Sequence, residues 1–391
     1  MYNILTLNSI SKKGLVKLPQ KDFVIADKME NPEGIMVRSS DMHNYEIPDT
    51  LLAIARAGAG TNNIPVDKCA EKGIVVFNTP GANANAVKEL VLTGILISSR
   101  KIVEGIEWSK SLKGKEHIDK LVESGKGQFA GPEIKGKKLG VIGLGAIGVM
   151  VSNAAISLGM DVMGYDPFLS VYSAWSISSD VELADSIVSI VEQCDYVSVH
   201  VPLNGNTKNM FNDEIFSTMK KGTRLLNFSR GGLVDTNALK KALENGTVDK
   251  YITDFPGEEV LNLDNVLAIP HLGASTPESE ENCAEMAAIE LKAFIKYGTI
   301  KNSVNFPNCE SLYTGKARVT IAHKNIPNMV GSITAIFAKN NLNIDNMLNK
   351  SKGDWAYTII DLDSLCGKND NLLEELKSLP GVVRARIVRE K

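Results

Sequence analysis

The chain has 391 residues, 43% of them hydrophobic and 23% charged, with a net charge of −3. That length accommodates two or three domains, and the composition is ordinary for a soluble globular protein. No basic block points to nucleic acid or a membrane surface, and no apolar run reaches the ~18 residues of a spanning helix.

Met1-Tyr-Asn-Ile-Leu-Thr-Leu7 lacks the basic start and long apolar core of a signal peptide, and reads as a first strand. The cysteines at 69, 194, 283, 309 and 366 are scattered, without a Cys-x-x-Cys. That pattern suits reduced thiols in the cytoplasm, and no metal site is expected.

Residues 1 to about 95 alternate short strands with helices. Gly34–Val37 leads into Arg38-Ser39-Ser40, Leu51–Ala55 into Arg56-Ala57-Gly58-Ala59-Gly60, and Ile74–Phe77 into Asn78-Thr-Pro-Gly-Ala-Asn83. These are strand ends in an α/β pattern, where ligand-binding loops gather. A helical pattern covers 86–112, followed by a loop rich in Lys and Gly. Gly131 to Lys138 superficially resembles a phosphate-binding loop, but it lacks the final Ser/Thr and follows no strand.

The chain is organised around Leu139 to Gly148. An apolar run, Leu139–Ile142, reads as a buried strand. Gly143, Gly145 and Gly148 then form Gly-x-Gly-x-x-Gly at the start of a helix that ends near Gly159. Such glycines give a tight turn, close approach to a pyrophosphate and tight helix packing, and the helix N-terminus faces the phosphates. Ala146 and Ile147 share that turn. A second strand ends at Asp166-Pro167, where an acid is placed to accept both ribose hydroxyls. Its charge repels a 2′-phosphate, so NAD is expected over NADP.

Alternation then resumes. Strands at Tyr196–Val201, Thr223–Phe228, Lys250–Asp254 and Asn265–Pro270 lead into loops holding Pro202, Ser229-Arg230, Glu258-Glu259 and His271. A helix spans 278–297, 299–316 reads as a linker, and 317–391 gives strand, helix, strand, strand, helix, strand. Oxidising a secondary alcohol with NAD needs a base for the hydroxyl proton and a cation for the carboxylate. His271 suits the first task and Arg230 the second, with an adjacent carboxylate to orient the imidazole.

The motifs Gly-Leu-Gly-Ala-Ile-Gly (143–148), Tyr-Asp-Pro (165–167), Val-His-Val-Pro-Leu (199–203), Ser-Arg-Gly-Gly-Leu-Val-Asp (229–235) and Pro-His-Leu-Gly-Ala-Ser-Thr (270–276) resemble the D-isomer-specific 2-hydroxyacid dehydrogenases. Arg56 to Asn63 and Asn78 to Gly81 add the pattern of that family's substrate domain. The resemblance covers nearly the whole chain. It implies an α/β fold in which a Rossmann-type nucleotide domain (96–274) is inserted in a flavodoxin-like substrate domain (1–95 and 275–300). A linker (301–316) and a regulatory βαββαβ domain of the ACT type (317–391) follow. The active site is then expected in a cleft whose closure excludes water.

By the same resemblance Arg230 binds carboxylate and keto oxygen, and His271 is the acid/base. The family's Asp-Val-Phe-x-x-Glu-Pro stands here as Asp254-Phe-Pro-Gly-Glu-Glu-Val260, without the final Pro. Anchoring on Phe gives Glu258 as the acidic partner; anchoring on Asp gives Glu259. NAD contacts are expected from the Gly143–Gly148 turn, Asp166, Pro167, His200, Val201, Pro202, Thr207, Ser229, Arg230, Asp254, His271, Gly273 and Ala274. Substrate contacts are expected from Arg38, Ser39, Arg56, Ala57, Gly58, Ala59, Asn83, Arg230 and His271.

The C-terminal domain points to the branch of the family that oxidises D-3-phosphoglycerate, the first step of serine biosynthesis. It implies L-serine as effector through His323, Asn325 and Asn343, and a cytoplasmic homodimer or homotetramer. The family's Pro-Gly stands here as Pro327-Asn328, and Asn tolerates the left-handed backbone required there.

Overall fold

The computed structural model describes residues 1–313, 317–363 and 370–388. The chain divides into two compact units, Met1–Asn83 with Pro277–Lys391, and Ala84–Thr276. Cys366, the last residues of the expected linker and the chain's last three residues lie outside the described residues.

The first unit opens with β1 (Tyr2–Leu7), β2 (Phe23–Ala26), β3 (Gly34–Val37), β4 (Ala53–Arg56) and β5 (Val75–Phe77). They form a parallel sheet in the order β2-β1-β3-β4-β5. The apolar runs of β3 and β5 are buried throughout, as parallel strands covered on both faces require. Helix Pro277–Tyr297 returns to this sheet and buries Ala284, Ala287, Leu291 and Ile295 against it.

The second unit contains β6 (Lys138–Ile142), β7 (Asp161–Tyr165), β8 (Glu182–Leu183), β9 (Tyr196–Val199), β10 (Thr223–Asn227), β11 (Val248–Thr253) and β12 (Val266–Ala268). All are parallel, in the order β12-β11-β10-β9-β6-β7-β8. The order reverses between β6 and β9, the switch point where doubly wound sheets bind ligands. The helix expected over 86–112 is two helices, Ala84–Ser99 and Ile102–Ser111. The break is at Lys101, whose ψ of 56° leaves the helical region. The Lys/Gly-rich stretch after it is not all loop: it holds a helix, Ile118–Gly125, and a single tight turn, Lys126–Phe129.

The first unit resumes with β13 (Ala317–Lys324), β14 (Ile344–Lys352), β15 (Trp355–Leu362) and β16 (Val382–Val388), an antiparallel sheet in the order β14-β15-β13-β16. Alternation along β13 and β15 sends Val319, Ile321, Ile360 and Leu362 to one face, against Ile333, Phe337, Leu372 and Leu376. Ala322, Tyr357 and Ile359 go to the other, against Phe77, Phe294 and Phe306.

The second face is therefore built into the first unit's core. Tyr357 donates to Gly298 O at 2.9 Å. Arg386 donates to the carbonyls of Phe294 (2.6 Å) and Ile295 (3.2 Å) and stacks over the Phe294 ring. Arg318, fully buried, pairs with Asp361 at 2.6 Å and also reaches the carbonyls of Tyr297 and Leu312. A buried ion pair holds only when its remaining donors are satisfied, and these are. Residues 300–309, read from sequence as part of a linker, carry the buried Ile300, Phe306 and Cys309. Asn305 accepts from Val76 N and donates to Ile74 O, so its amide completes the open edge of β5.

Candidate active site

The Gly143–Gly148 turn joins β6 to helix Ala146–Ser157. Gly143 has φ +93°, and a Cβ there would stand 2.6 Å from His200 O. A Cβ on Gly148 would stand 1.9 Å from Gly143 O. Those two glycines are required by the protein itself. Gly145, the N-cap, is different: a Cβ there meets nothing within 4 Å. Its open side lies at the first turn of the helix, where backbone N–H groups lack helical partners and the dipole favours an anion.

Asp166 follows β7 and turns back to this loop. Its Oδ2 accepts from Leu144 N at 2.9 Å and its Oδ1 from Phe168 N at 2.8 Å. The carboxylate thus holds the glycine turn and lies beside the helix start. His200, after β9, bonds Ser198 through Nε2, while its buried Nδ1 has no partner. Burial draws its pKa down to about 4, so the ring is neutral near pH 7. Thr207 closes the next loop by donating to Pro202 O at 2.6 Å.

Ser229 donates to Val199 O at 2.6 Å, fixing the loop after β10 beside β9. Asn227 accepts from the backbone N–H groups of Ser229 and Arg230 and donates to Arg230 O. The exposed Arg230 side chain donates to Ser229 O. Asp254 follows β11 and is fully buried. Its Oδ2 accepts from Gly273 N at 3.1 Å, while Oδ1 has no partner. Burial raises its pKa, opposed by Gly273 N–H and by the nearby charges of His271 and Arg230. Asp254 is thus the group that feels both residues. The His271 ring packs against Phe255, with centroids 4.7 Å apart and planes tilted by 45°. Glu258 and Glu259 are exposed in the first turn of the short helix Glu258–Leu261, and no hydrogen bond joins either to His271.

The remaining expected contacts sit in the first unit. Arg38 pairs with Glu280 at 2.6 Å, each about 40% exposed. Ser39 N donates to Asn8. Arg56 Nε donates to Asn63, and its guanidinium passes 2.4 Å from where a Cβ on Gly58 would stand. Asn78 holds Ala59 O at 2.6 Å, and Thr79 N holds Gly58 O. Asn83 ends this part of the unit.

Residues 92–273 match the family described as D-isomer specific 2-hydroxyacid dehydrogenase, NAD binding domain. Over 351 residues the chain is 33% identical to a D-3-phosphoglycerate dehydrogenase of Escherichia coli strain K12, covering 87% of this chain and 82% of that one. The chain belongs to the D-isomer-specific 2-hydroxyacid dehydrogenases. As a member it is an NAD-dependent oxidoreductase. A D-3-phosphoglycerate dehydrogenase of Methanocaldococcus jannaschii is 35% identical over 303 residues, covering 75% of this chain and 56% of that one. The NAD⁺-bound 3-phosphoglycerate dehydrogenase of Entamoeba histolytica superposes with a TM-score of 0.58 at 25% identity, covering 78% of this chain and 98% of that one. The apo D-mandelate dehydrogenase of Rhodotorula graminis shares the fold, with a TM-score of 0.66 at 22% identity.

Within this family member, one chain does not gather the three expected effector residues. His323 is buried at the end of β13, with Nδ1 at Lys324 O and Nε2 at Thr358 and Asn349. Asn325 lies at that same end, donating to Gly353 O. Asn343 precedes β14 at the opposite end and donates to Asp363. His323 pairs opposite Ala356 and Ile344 opposite Leu362, six positions apart along β15, or about 20 Å. Asn328 does adopt the left-handed conformation, with φ +66°.

Sequence reading missed Asn227, Tyr251 and Phe255. Asn227 sits inside an apolar strand and reads as an accident there. Its amide donates to the Tyr251 hydroxyl at 3.1 Å while it organises the Arg230 loop, a role only long-range pairing reveals.

Proposed function

We propose that the chain oxidises D-3-phosphoglycerate to 3-phosphohydroxypyruvate with NAD, in the cytoplasm. The observation that carries the reading is the cluster formed by Arg230, buried Asp254 and His271 at strand ends beyond the glycine turn. NAD supplies the hydride acceptor. The residues fit it: an open Gly145 beside free helix N–H groups, Asp166 beside the turn, and an unpartnered Asp254 Oδ1 to accept from a neutral amide such as the carboxamide of the nicotinamide.

His271 takes the substrate hydroxyl proton as the hydride leaves the adjacent carbon, and Arg230 holds the carboxylate through its planar fork. The imidazolium that results is stabilised by nearby carboxylate charge. We assign the pairing to Glu258, with Glu259 its alternative. Either needs the turn at Gly257 to close on the imidazole, as catalytic bonds often do when ligands bind. Arg38 and Arg56 are the candidate phosphate contacts. The half-exposed Arg38–Glu280 pair is weakly held and exchangeable for a substrate anion. The four described thiols are buried, and burial pushes Cys69 and Cys309 up to about 11, which suits inert thiols in a reducing compartment.

L-serine inhibition is the second part of the proposal. A serine site using His323, Asn325 and Asn343 together requires two copies of the chain, in keeping with a homo-oligomer. The test is kcat/KM for NAD reduction across a panel of D-2-hydroxyacids, with and without L-serine. D-3-phosphoglycerate should lead lactate and glycerate by at least ~10²-fold, since unpaired phosphate-binding cations penalise the analogues. A leading substrate without phosphate refutes the assignment.

A further inference from the structure

A polar pocket of about 840 Å³ lies in the first unit, lined by none of the catalytic or cofactor residues assigned above. Its walls are β14, through Asn349, Lys350, Ser351 and Lys352, and the segment Asn302–Asn308, with Asn78 at one end. No acidic side chain lines it. We propose that it binds a small organic dianion as an effector of the dehydrogenase.

The donors carry the argument. Lys350 and Lys352 alternate on one strand face, which sets their backbones about 7 Å apart. Lys352 Nζ spends one donor on Ser303 O at 2.9 Å. Partial burial lowers its pKa with no carboxylate opposing the shift, so its charge is uncompensated. Asn308 is oriented by its other end: its Oδ1 accepts from Asn302 N at 2.9 Å, which leaves its NH₂ for a ligand. Asn349, out of phase with the two lysines along β14, turns its amide to Thr358 on the other face of the sheet and adds no side-chain donor. Two ammonium groups and an amide donor, without an acid, match two anionic groups separated by a short carbon chain.

The pocket also touches the substrate loop. Asn78 N bonds Asn302 O, and Asn78 Nδ2 holds Ala59 O. An occupant drawing β14 toward Asn302–Asn308 bears on Asn78 and so on Arg56–Ala59. This coupling rests on reading that loop as substrate-binding; the binding site itself does not.

Succinate and phosphoglycolate, as dicarboxylate and carboxylate–phosphate probes, would be titrated calorimetrically into the full chain at low salt. The variants are Lys350→Ala, Lys352→Met and Arg230→Ala, each checked for an unchanged thermal melt. Lys350 is exposed, so its variant tests the site even if the Lys352 variant does not fold. Binding should weaken about tenfold in Lys350→Ala and persist in Arg230→Ala, with the better probe naming the ligand type. The same probe should shift KM for the hydroxyacid at least twofold in wild type and not in Lys350→Ala. Absence of binding, or binding lost only in Arg230→Ala, overturns the site. Binding with an unchanged KM overturns its role as an effector site.

Discussion

Gly145 and Gly148 stand three residues apart in one motif, and the structure assigns them opposite fates on substitution. In Gly148→Ala the new Cβ stands 1.9 Å from Gly143 O, a backbone atom. Gly143 has little freedom to retreat, because its own Cβ direction faces His200 O at 2.6 Å. Overpacking of that severity costs about 3 kcal/mol, offset by about 1 kcal/mol of helix propensity. The net loss of about 2 kcal/mol corresponds to a fall of ~4–8 °C in Tm for a unit of this size. Gly145→Ala meets nothing within 4 Å and has an ordinary φ of −72°. It should cost under about 1 kcal/mol, the loss of a tolerable N-cap. Its methyl group, however, occupies the side from which a pyrophosphate approaches the helix. Losing one charge-assisted bond there costs about 1.5–3 kcal/mol, roughly 10–150-fold in Kd. Differential scanning fluorimetry without cofactor, and fluorescence titration with NADH, read the two effects. A Gly145→Ala protein that binds NADH normally, or a Gly148→Ala protein that melts like wild type, refutes the reasoning.

Three further outcomes are expected. His271→Ala and Arg230→Ala should each lower kcat by ~10²–10⁴-fold without moving the melt, since both side chains are exposed; near-normal turnover in either dismisses that residue from the chemistry. Asp166→Ala should reduce the preference for NAD over NADP in kcat/KM and also weaken both cofactors, because the carboxylate holds Leu144 N and Phe168 N; an unchanged ratio means the acid does not meet the ribose. Glu290, buried with Oε2 unpartnered, has its pKa raised by burial to about 8, so the folded state keeps a proton that the unfolded state, near 4.5, gives up. Its contribution to stability is therefore full below pH 4.5 and lost as pH rises towards 8, and Glu290→Gln should gain on wild type by about 2 kcal/mol or more between pH 5.5 and 8 in urea titrations. A constant difference would mean that the carboxyl is not held neutral.

Where local pattern and tertiary use agree, the sequence was readable. The buried runs of β3, β6 and β10 are apolar because both faces of a parallel sheet are covered, and the glycine turn must follow such a strand. The βαββαβ order of the last domain was equally legible. Segment 300–309 was misleading for a physical reason. Its Asn, Ser and Pro residues look like a solvated linker, yet the Asn305 amide replaces a missing strand for β5 and Phe306 fills the core. Composition reports polarity, not whether that polarity is spent on backbone groups. The break at Lys101 was likewise hidden, since nothing in its sequence forbids a continuous helix. In the site, Arg230 and His271 stood out as polar residues after strands. The role of Asp254, buried with one oxygen free and near both, depends on pairing between β11 and the Gly273 loop and could not be read locally.

The most direct test of the account follows the hydrogen itself. 3-Phosphohydroxypyruvate would be reduced by the enzyme with NADH deuterated at the transferable position, and the product analysed by mass spectrometry and chiral chromatography. Direct transfer between substrate and cofactor, with His271 supplying only a solvent-exchangeable proton, predicts D-3-phosphoglycerate carrying one deuterium on its hydroxyl-bearing carbon. Unlabelled product, the L-enantiomer, or no reduction at all would contradict it.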